Sequence, residues 1–325
     1  MVSSAVRAGF KVGIVGGGAV GTLLAYALNA SGVVPYIIYR DNNKKQKRLE
    51  KGLKILIRDV ARELGSDKEY RIKAHHVTYD ELPEKFLDVV FIATKAYDFK
   101  DALLSVLPLL NDSCIAISCQ NGLGSLEYLE RMLGKERAAA LILNAGVYEV
   151  DDVTYVLAGY GRSYMGQRCR DASPKLGEVA KLLHLLDVRV VKDVEGYRWL
   201  KLIVNSAINP ITAILKAKNS IIIEDPLAAK LASKTVLEGW LVSKAAKINL
   251  PRNPLVELLN VAYHTRDNYS SMYQDIIKGK RTEIDYINAA IVEVGRRVGV
   301  RAVINQVLTY IIKSLEASSQ SVAED

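Results

Sequence analysis

The feature that most constrains this chain is the segment GGGAVG at residues 16–21. It sits directly between a β-branched apolar stretch, KVGIV at Lys11–Val15, and the helix-forming TLLAYALNA. Gly16, Gly18 and Gly21 satisfy the spacing G-x-G-x-x-G. With a strand before it, a helix after it and a second strand ending near Arg40, the spacing predicts the first unit of a dinucleotide-binding fold. Gly16 permits the tight turn, Gly18 lets a pyrophosphate approach the backbone, and Gly21 lets helix and strand pack closely. Loop residues Gly16, Gly18, Ala19, Val20 and Gly21 then present backbone N–H groups and the positive end of the helix dipole to the phosphates, with no side-chain charge required.

The rest of the first half fits that opening. Short β-branched runs (VVPYIIY, LDVVFIAT, CIAIS, AAALIL) alternate with amphipathic stretches of helical length, which implies a mostly parallel sheet covered by helices. After about residue 190 the strand signals fade. EGYRWLKLIVNSAINPITAIL and the stretch from Pro226 through Ile248 read as helices. TEIDYINAAIVEVGRRVG reads as another, with Thr282 as N-cap, a stripe of Ile284, Ile287, Ile291, Val294 and Val298, and Gly299 as the stop. A chain of 325 residues suits two domains of roughly 100–200 residues each. The expected fold class is therefore α/β: a Rossmann-type dinucleotide-binding domain over 1–191 and an all-α domain over 192–325. The polar tail SSQSVAED reads as disordered.

Composition narrows the partners. The formal charge is +8, but the basic residues are spread along the chain rather than gathered in arms, so no nucleic-acid partner is expected. A mild positive field favours anionic ligands. No apolar stretch reaches the ~18–20 residues of a membrane span, and the opening MVSSAVRAGF lacks an apolar h-region. The expectation is a cytoplasmic protein with no membrane partner. Cys114, Cys119 and Cys169 lack metal or disulfide spacing and read as reduced structural thiols.

At the end of the second strand, where NAD-preferring proteins carry an acid for the ribose hydroxyls, this chain has Arg40, followed by Lys44 and Lys45. Arginine can grip a 2′-phosphate bidentately, which points to NADP (NADPH). Asp41, next along, is the alternative ribose partner, and a solvated loop charge is the plain reading of Arg40. None of the four histidines sits in a recognisable catalytic context, so another proton donor is needed. In WLKLIVNSAINP the helical period puts Lys201, Asn205 and Asn209 on one stripe. Asparagine is a poor helix former, so two beside a lysine call for a polar ligand, or else for solvent exposure or capping of a neighbouring helix. The segment NYSSMYQDIIKGKRTEID adds Asn268, Ser271 and Glu283, although a glutamate near a helix start can simply complement the dipole.

These segments, with TKAYD and QNGLG between them, resemble the ketopantoate reductase (2-dehydropantoate 2-reductase) family over nearly the whole chain, five motifs standing in the family's order. The resemblance implies NADPH-dependent reduction of a small 2-oxo acid, ketopantoate, to pantoate on the way to pantothenate and coenzyme A. It implies Lys201 as general acid and Glu283 as its acidic partner. Asn205 and Asn209 would hold substrate, Ser271 its carboxylate, and Lys95 and Asn121 would line the cofactor and substrate cleft. No metal is implied. The departures are an N-terminal extension before Lys11, a charged stretch from Leu53 to Tyr79, and Ala289 where the family often has glycine. A reductase of another small 2-oxo acid and a non-catalytic NADP(H)-sensing protein are the competing readings. Apolar faces in the helical half suit pairing into a homodimer.

Overall fold

The computed structural model describes residues 9–57, 68–169 and 173–324. By its contacts the chain forms two compact units, residues 1–120 with 125–194, and residues 121–124 with 195–325. Among the described residues no helix is long and apolar enough to cross a membrane.

The first unit is built on an eight-stranded sheet. Its strands are β1 (Val12–Val15), β2 (Tyr36–Tyr39), β5 (His75–Thr78), β6 (Leu87–Ile92), β7 (Leu110–Ser118), β8 (Ala138–Ile142), β11 (Ser163–Gly166) and β12 (Val188–Val190). The order is β12-β11-β8-β7-β6-β1-β2-β5, parallel except where β11 meets β8. The chain runs outward from β1 through β2 to β5, then returns to β6 on the other side of β1. The order therefore reverses between β1 and β6, which is where ligands enter sheets of this kind. Every residue of β1 and of β8 is buried. Coverage on both faces is why these strands read as continuous apolar runs.

Seven further strand segments, β11 and β12 among them, carried no clear signal. The third strand of the main sheet, β5, is the histidine-bearing HHVT. Four others, β3 (Lys54–Ile57), β4 (Lys68–Arg71), β9 (Ala145–Glu149) and β10 (Thr154–Tyr160), make a separate sheet in the order β4-β3-β10-β9. The charged stretch from Leu53 to Tyr79 is thus a hairpin edge plus β5, apart from 58–67, which lie outside the described residues, as do residues 1–8 of the N-terminal extension. Helix α1 (Ala19–Ala30) lies against β1 and also against strands of the second sheet. Contact on two sides explains why Gly21, Thr22, Leu23, Leu24, Ala25, Ala27 and Leu28 are all buried.

The second unit is helical: α6 (Val194–Leu215), α7 (Ile221–Glu224), α8 (Pro226–Ala245), α9 (Pro254–His264), α10 (Ser271–Ile277), α11 (Asn288–Arg297) and α12 (Val303–Glu324). Asp225 caps α8 and Asn253 caps α9, each accepting two backbone N–H bonds ahead of a proline at the first turn. Two expectations need correcting. The helix read from Thr282 begins only at Asn288. Residues Ile284–Tyr286 form a 3₁₀ turn first, and Thr282 turns its hydroxyl onto the Ile284 N–H instead of capping an α-helix. The tail read as disordered continues α12 to Glu324, there being no glycine or proline to stop it.

Candidate functional site

In the first unit the glycine loop has the geometry its spacing demands. Gly16 has φ +101°, and a Cβ there would press on the Ala93 backbone at 3.2 Å. A Cβ on Gly21 would lie 1.9 Å from the Gly16 carbonyl oxygen, so only glycine lets α1 close on the loop. A Cβ on Gly18 would meet nothing within 4 Å, and Gly18 is exposed. Gly18 is also the N-cap of α1, a position with no side-chain cap bond and no acid in the first turn. The loop is thus an open cradle of backbone donors at a helix N-terminus. Ala19 and Val20, the first two residues of α1, sit half-buried beside it.

The loop after β2 separates two residues that sequence left as alternatives. Asp41 is the N-cap of α2 (Asn42–Lys51), accepting the Asn43 N–H at 2.8 Å. Arg40 is exposed, with a loose 3.7 Å ion pair to Asp98. It borders a groove of about 400 Å³ lined also by Asn42, Lys45, Thr78, Tyr79, Asp80 and Glu81. Lys45 is not a free cation: its buried ammonium lies 2.6 Å from the Glu81 carboxylate. That ammonium and the Thr78 N–H hold the Glu81 carboxyl below its usual range. Of the three basic residues that end the loop and open α2, Arg40 and Lys44 are exposed.

At the switch point, Gln120 donates from Nε2 to the carbonyls of Ile92 (2.7 Å) and Thr94 (3.0 Å), tying the end of β7 to the end of β6. Its Oε1 and the Thr94 hydroxyl are buried without a hydrogen-bond partner. The Thr94 methyl is one of the groups a Gly16 Cβ would touch. Unpaired buried polar atoms are costly unless a ligand completes them, and sequence reading had singled out neither residue. Lys95 follows at the N-cap of the turn Ala96–Asp98, half-buried.

In the second unit α6 is central: from 198 to 213 every residue is buried except Lys201 and Asn205. One four-residue step along that stripe comes Asn209, which is only 6% exposed. Among the described residues the side-chain amides of Asn205 and Asn209 have no hydrogen-bond partner. They cap no neighbouring helix.

A second pair is brought together by a loop from far back in the chain. Gly122 has φ +92°, and a Cβ on it would lie 2.2 Å from the Tyr286 carbonyl, to which the Leu123 N–H also donates at 3.0 Å. The QNG glycine thus lets residues 121–124 dock on the turn after Glu283, and Asn121 Nδ2 donates to the Glu283 carboxylate at 3.4 Å. Glu283 is 6% exposed. Ser271 is the exposed first residue of α10, and Asn268 is half-buried in the loop before it. The buried serine is Ser270, which caps α10 and shares hydrogen bonds with the Thr212 hydroxyl and the Asn209 carbonyl.

Asn288 does unanticipated work. Pro210 lies inside α6 and has no N–H for the carbonyl four residues back, at Ser206. Asn288 Nδ2 donates to that carbonyl at 2.8 Å and to Asn305 Oδ1 at 3.1 Å. Proline in a helix whose next buried asparagine lies in another segment was a legible signal only for a defect, not for its repair.

Comparison with known proteins bears on the same residues. Residues 12–169 match the family described as "Ketopantoate reductase PanE/ApbA", and residues 193–316 match "Ketopantoate reductase PanE/ApbA C terminal". A 2-dehydropantoate 2-reductase of Pyrobaculum aerophilum is 35% identical over 317 residues, covering 95% of this chain and 99% of its own. Among solved structures, a PanE/ApbA family ketopantoate reductase of Ralstonia eutropha superposes with TM-score 0.82 at 24% identity, covering 95% of this chain and 99% of that one. A D-mandelate dehydrogenase, solved with NADH and anilino(oxo)acetate, superposes with TM-score 0.82 at 23% identity and the same coverage.

Proposed function

This chain belongs to the ketopantoate reductase family, and from that membership we propose that it reduces ketopantoate to pantoate with NADPH. The observation that carries the reading is the stripe on α6: Lys201 and Asn205 interrupt the run otherwise buried from 198 to 213, Asn209 follows one step on, and among the described residues the two side-chain amides have no hydrogen-bond partner. Amides placed there without partners of their own are groups left for a ligand.

When bound, NADPH supplies the hydride that adds to the substrate's carbonyl carbon. The loop Gly16–Gly21 would hold its pyrophosphate and Arg40 its 2′-phosphate, Asp41 being engaged in the α2 cap. Lys95, Thr94 and Gln120 would contact it at the switch point. As the carbonyl oxygen gains negative charge, the Lys201 ammonium stabilises it and then donates the proton that completes the hydroxyl. Glu283, with Asn121 on its carboxylate, orients the lysine or accepts from the substrate. Asn205 and Asn209 hold the substrate's oxygens, with Ser271 and Asn268 assigned to its carboxylate. Residues 1–191 are thus the cofactor domain and 192–325 the catalytic one, the latter joined by residues 121–124.

The same reading places the enzyme in the cytoplasm as a homodimer. The Cys114 thiol is pushed up to about 12 by burial, keeping it inert. On α12, Val303, Val307, Tyr310 and Ile311 form an exposed apolar stripe suited to a second copy. Light scattering should give twice the monomer mass.

The test is NADPH oxidation with a panel of 2-oxo acids. Ketopantoate should give the highest kcat/KM. Preference for another 2-oxo acid makes this a reductase of that acid, and NADPH binding without turnover of any makes it a sensing protein.

A further inference from the structure

The second sheet reaches the cofactor loop through one side chain. Tyr155, on β10, is the largest fully buried residue of the described chain, 1% exposed. Its hydroxyl lies 3.3 Å from the Gly17 carbonyl oxygen. Arg48, buried on α2, donates from Nη2 to the same hydroxyl at 2.8 Å and lies over the Tyr155 ring, 5.3 Å from its centre. Arg48 Nη1 is buried without a partner, and among the described residues no carboxylate pairs with this guanidinium. Tyr39 closes the other side: a Cβ on Gly17 would meet its ring at 2.7 Å.

A phenol has one proton. When Arg48 donates into the Tyr155 oxygen, that proton is left for the Gly17 carbonyl, so the direction of the relay is fixed from Arg48 to Tyr155 to Gly17. Burial holds the phenol protonated above its usual range, against the opposing pull of Arg48. The peptide unit is planar and none in the described chain is cis. Pinning the Gly17 carbonyl toward the protein therefore aims the N–H of Gly18 the opposite way, away from Tyr155; Gly18 itself is exposed, and a Cβ on it would meet nothing within 4 Å.

We propose that Arg48 and Tyr155 are positioning residues for the dinucleotide: they lock the Gly17–Gly18 peptide with its N–H turned to the cofactor's pyrophosphate, and the buried Arg48 charge adds to the field beneath it. The inference rests on the dinucleotide reading of the loop and assigns to the second sheet a role in cofactor affinity that the glycine motif alone does not contain.

The experiment titrates NADPH into the full chain, following cofactor fluorescence, for wild type, Tyr155→Phe, Arg48→Met, Arg48→Lys and the double variant Arg48→Met with Tyr155→Phe. Tyr155→Phe keeps the ring and removes only the relay. It should weaken NADPH binding and raise its KM on the order of 3- to 10-fold, with kcat at saturating NADPH and the KM of the 2-oxo acid within about 2-fold of wild type. Arg48→Met should do the same, Arg48→Lys should recover part of the loss, and the double variant should be no worse than the worse single. Should Tyr155→Phe prove unstable, Arg48→Met and Arg48→Lys carry the comparison. Unchanged NADPH affinity in Tyr155→Phe or Arg48→Met, or a loss appearing equally in kcat, overturns the relay while the dinucleotide reading stands. A wild-type chain that binds no NADPH overturns both.

Discussion

Replacing Asn288 with alanine tests how α6 is held. The substitution removes both Nδ2 hydrogen bonds, leaving the Ser206 carbonyl and Asn305 Oδ1 short of a donor in a region where Asn288 and Asn305 are fully buried. Each buried acceptor left unpaired costs about 1–3 kcal/mol. Asn305 keeps its own Nδ2 bonds to Glu238 and to the Thr235 carbonyl, so the expected total is about 2–4 kcal/mol, a fall in Tm on the order of 5–12 °C. The diagnostic step is Pro210→Ala, which supplies the amide that Ser206 lacks. Alone it should be nearly neutral, because the carbonyl is already paired. In the Asn288→Ala background it should restore about 1–2 kcal/mol. Thermal and urea denaturation of all four proteins gives the coupling energy directly. If the two changes add without coupling, the Ser206 carbonyl is not what Asn288 stabilises.

Four other outcomes follow from the site. Lys201→Ala should lower kcat by about 10²–10⁴ with NADPH binding intact, and adding Glu283→Ala should cost little more than the worse single change if the two act as one unit; steady-state kinetics and cofactor titration separate these effects. Asn209→Ala should raise the ketopantoate KM or lower kcat by the equivalent of about 1–3 kcal/mol while NADPH affinity stays put, the opposite of a merely structural role, which would move Tm alone. Arg40→Ala should shift the ratio of NADPH to NADH efficiency toward NADH, because a charge-assisted contact to the 2′-phosphate is lost. His76 is held neutral down to about pH 4 by burial and by the charges of Arg48 and His75, whereas an unfolded chain protonates it near 6.5. Its contribution to stability is therefore complete above about pH 6.5 and lost as pH falls toward 4, so Tm should decline across that window, and less steeply in His76→Gln.

What sequence made legible were features with a single physical solution. A Gly-x-Gly-x-x-Gly run after an apolar strand has one geometry: Gly16 and Gly21 show the backbone constraint expected of them, and Gly18 stands exposed. Strands covered on both faces, such as β1 and β8, announce themselves as unbroken apolar runs. The second sheet did not. KEYR in β4 is exposed throughout and charged, and β3 pairs with it across a long connection, so neither alternation nor apolarity marks the hairpin. HHVT pairs with β2 through backbone bonds that its composition does not advertise.

The site divides along the same line. A helical period suffices to put Lys201, Asn205 and Asn209 on one stripe, but whether that stripe faces solvent, a neighbouring helix or a ligand depends on what packs around it. Only the structure shows that, among the described residues, the two amides have no hydrogen-bond partner along a largely buried helix. Sequence favoured Arg40 but left Asp41 open, because an acid at a strand end serves equally as ribose ligand or helix cap; the structure has Asp41 accepting the Asn43 N–H in the cap of α2. Least legible were partnerships between distant segments: Gly122 against the carbonyl of Tyr286, Asn288 under Pro210, Tyr155 against Gly17. In each, one residue carries an irregularity visible in sequence, a glycine or a proline, and the other is an ordinary residue that completes it. A glycine with φ +92° pressed on a carbonyl 164 positions later is a contact no local rule can find, and it is this contact that sets Asn121 beside Glu283.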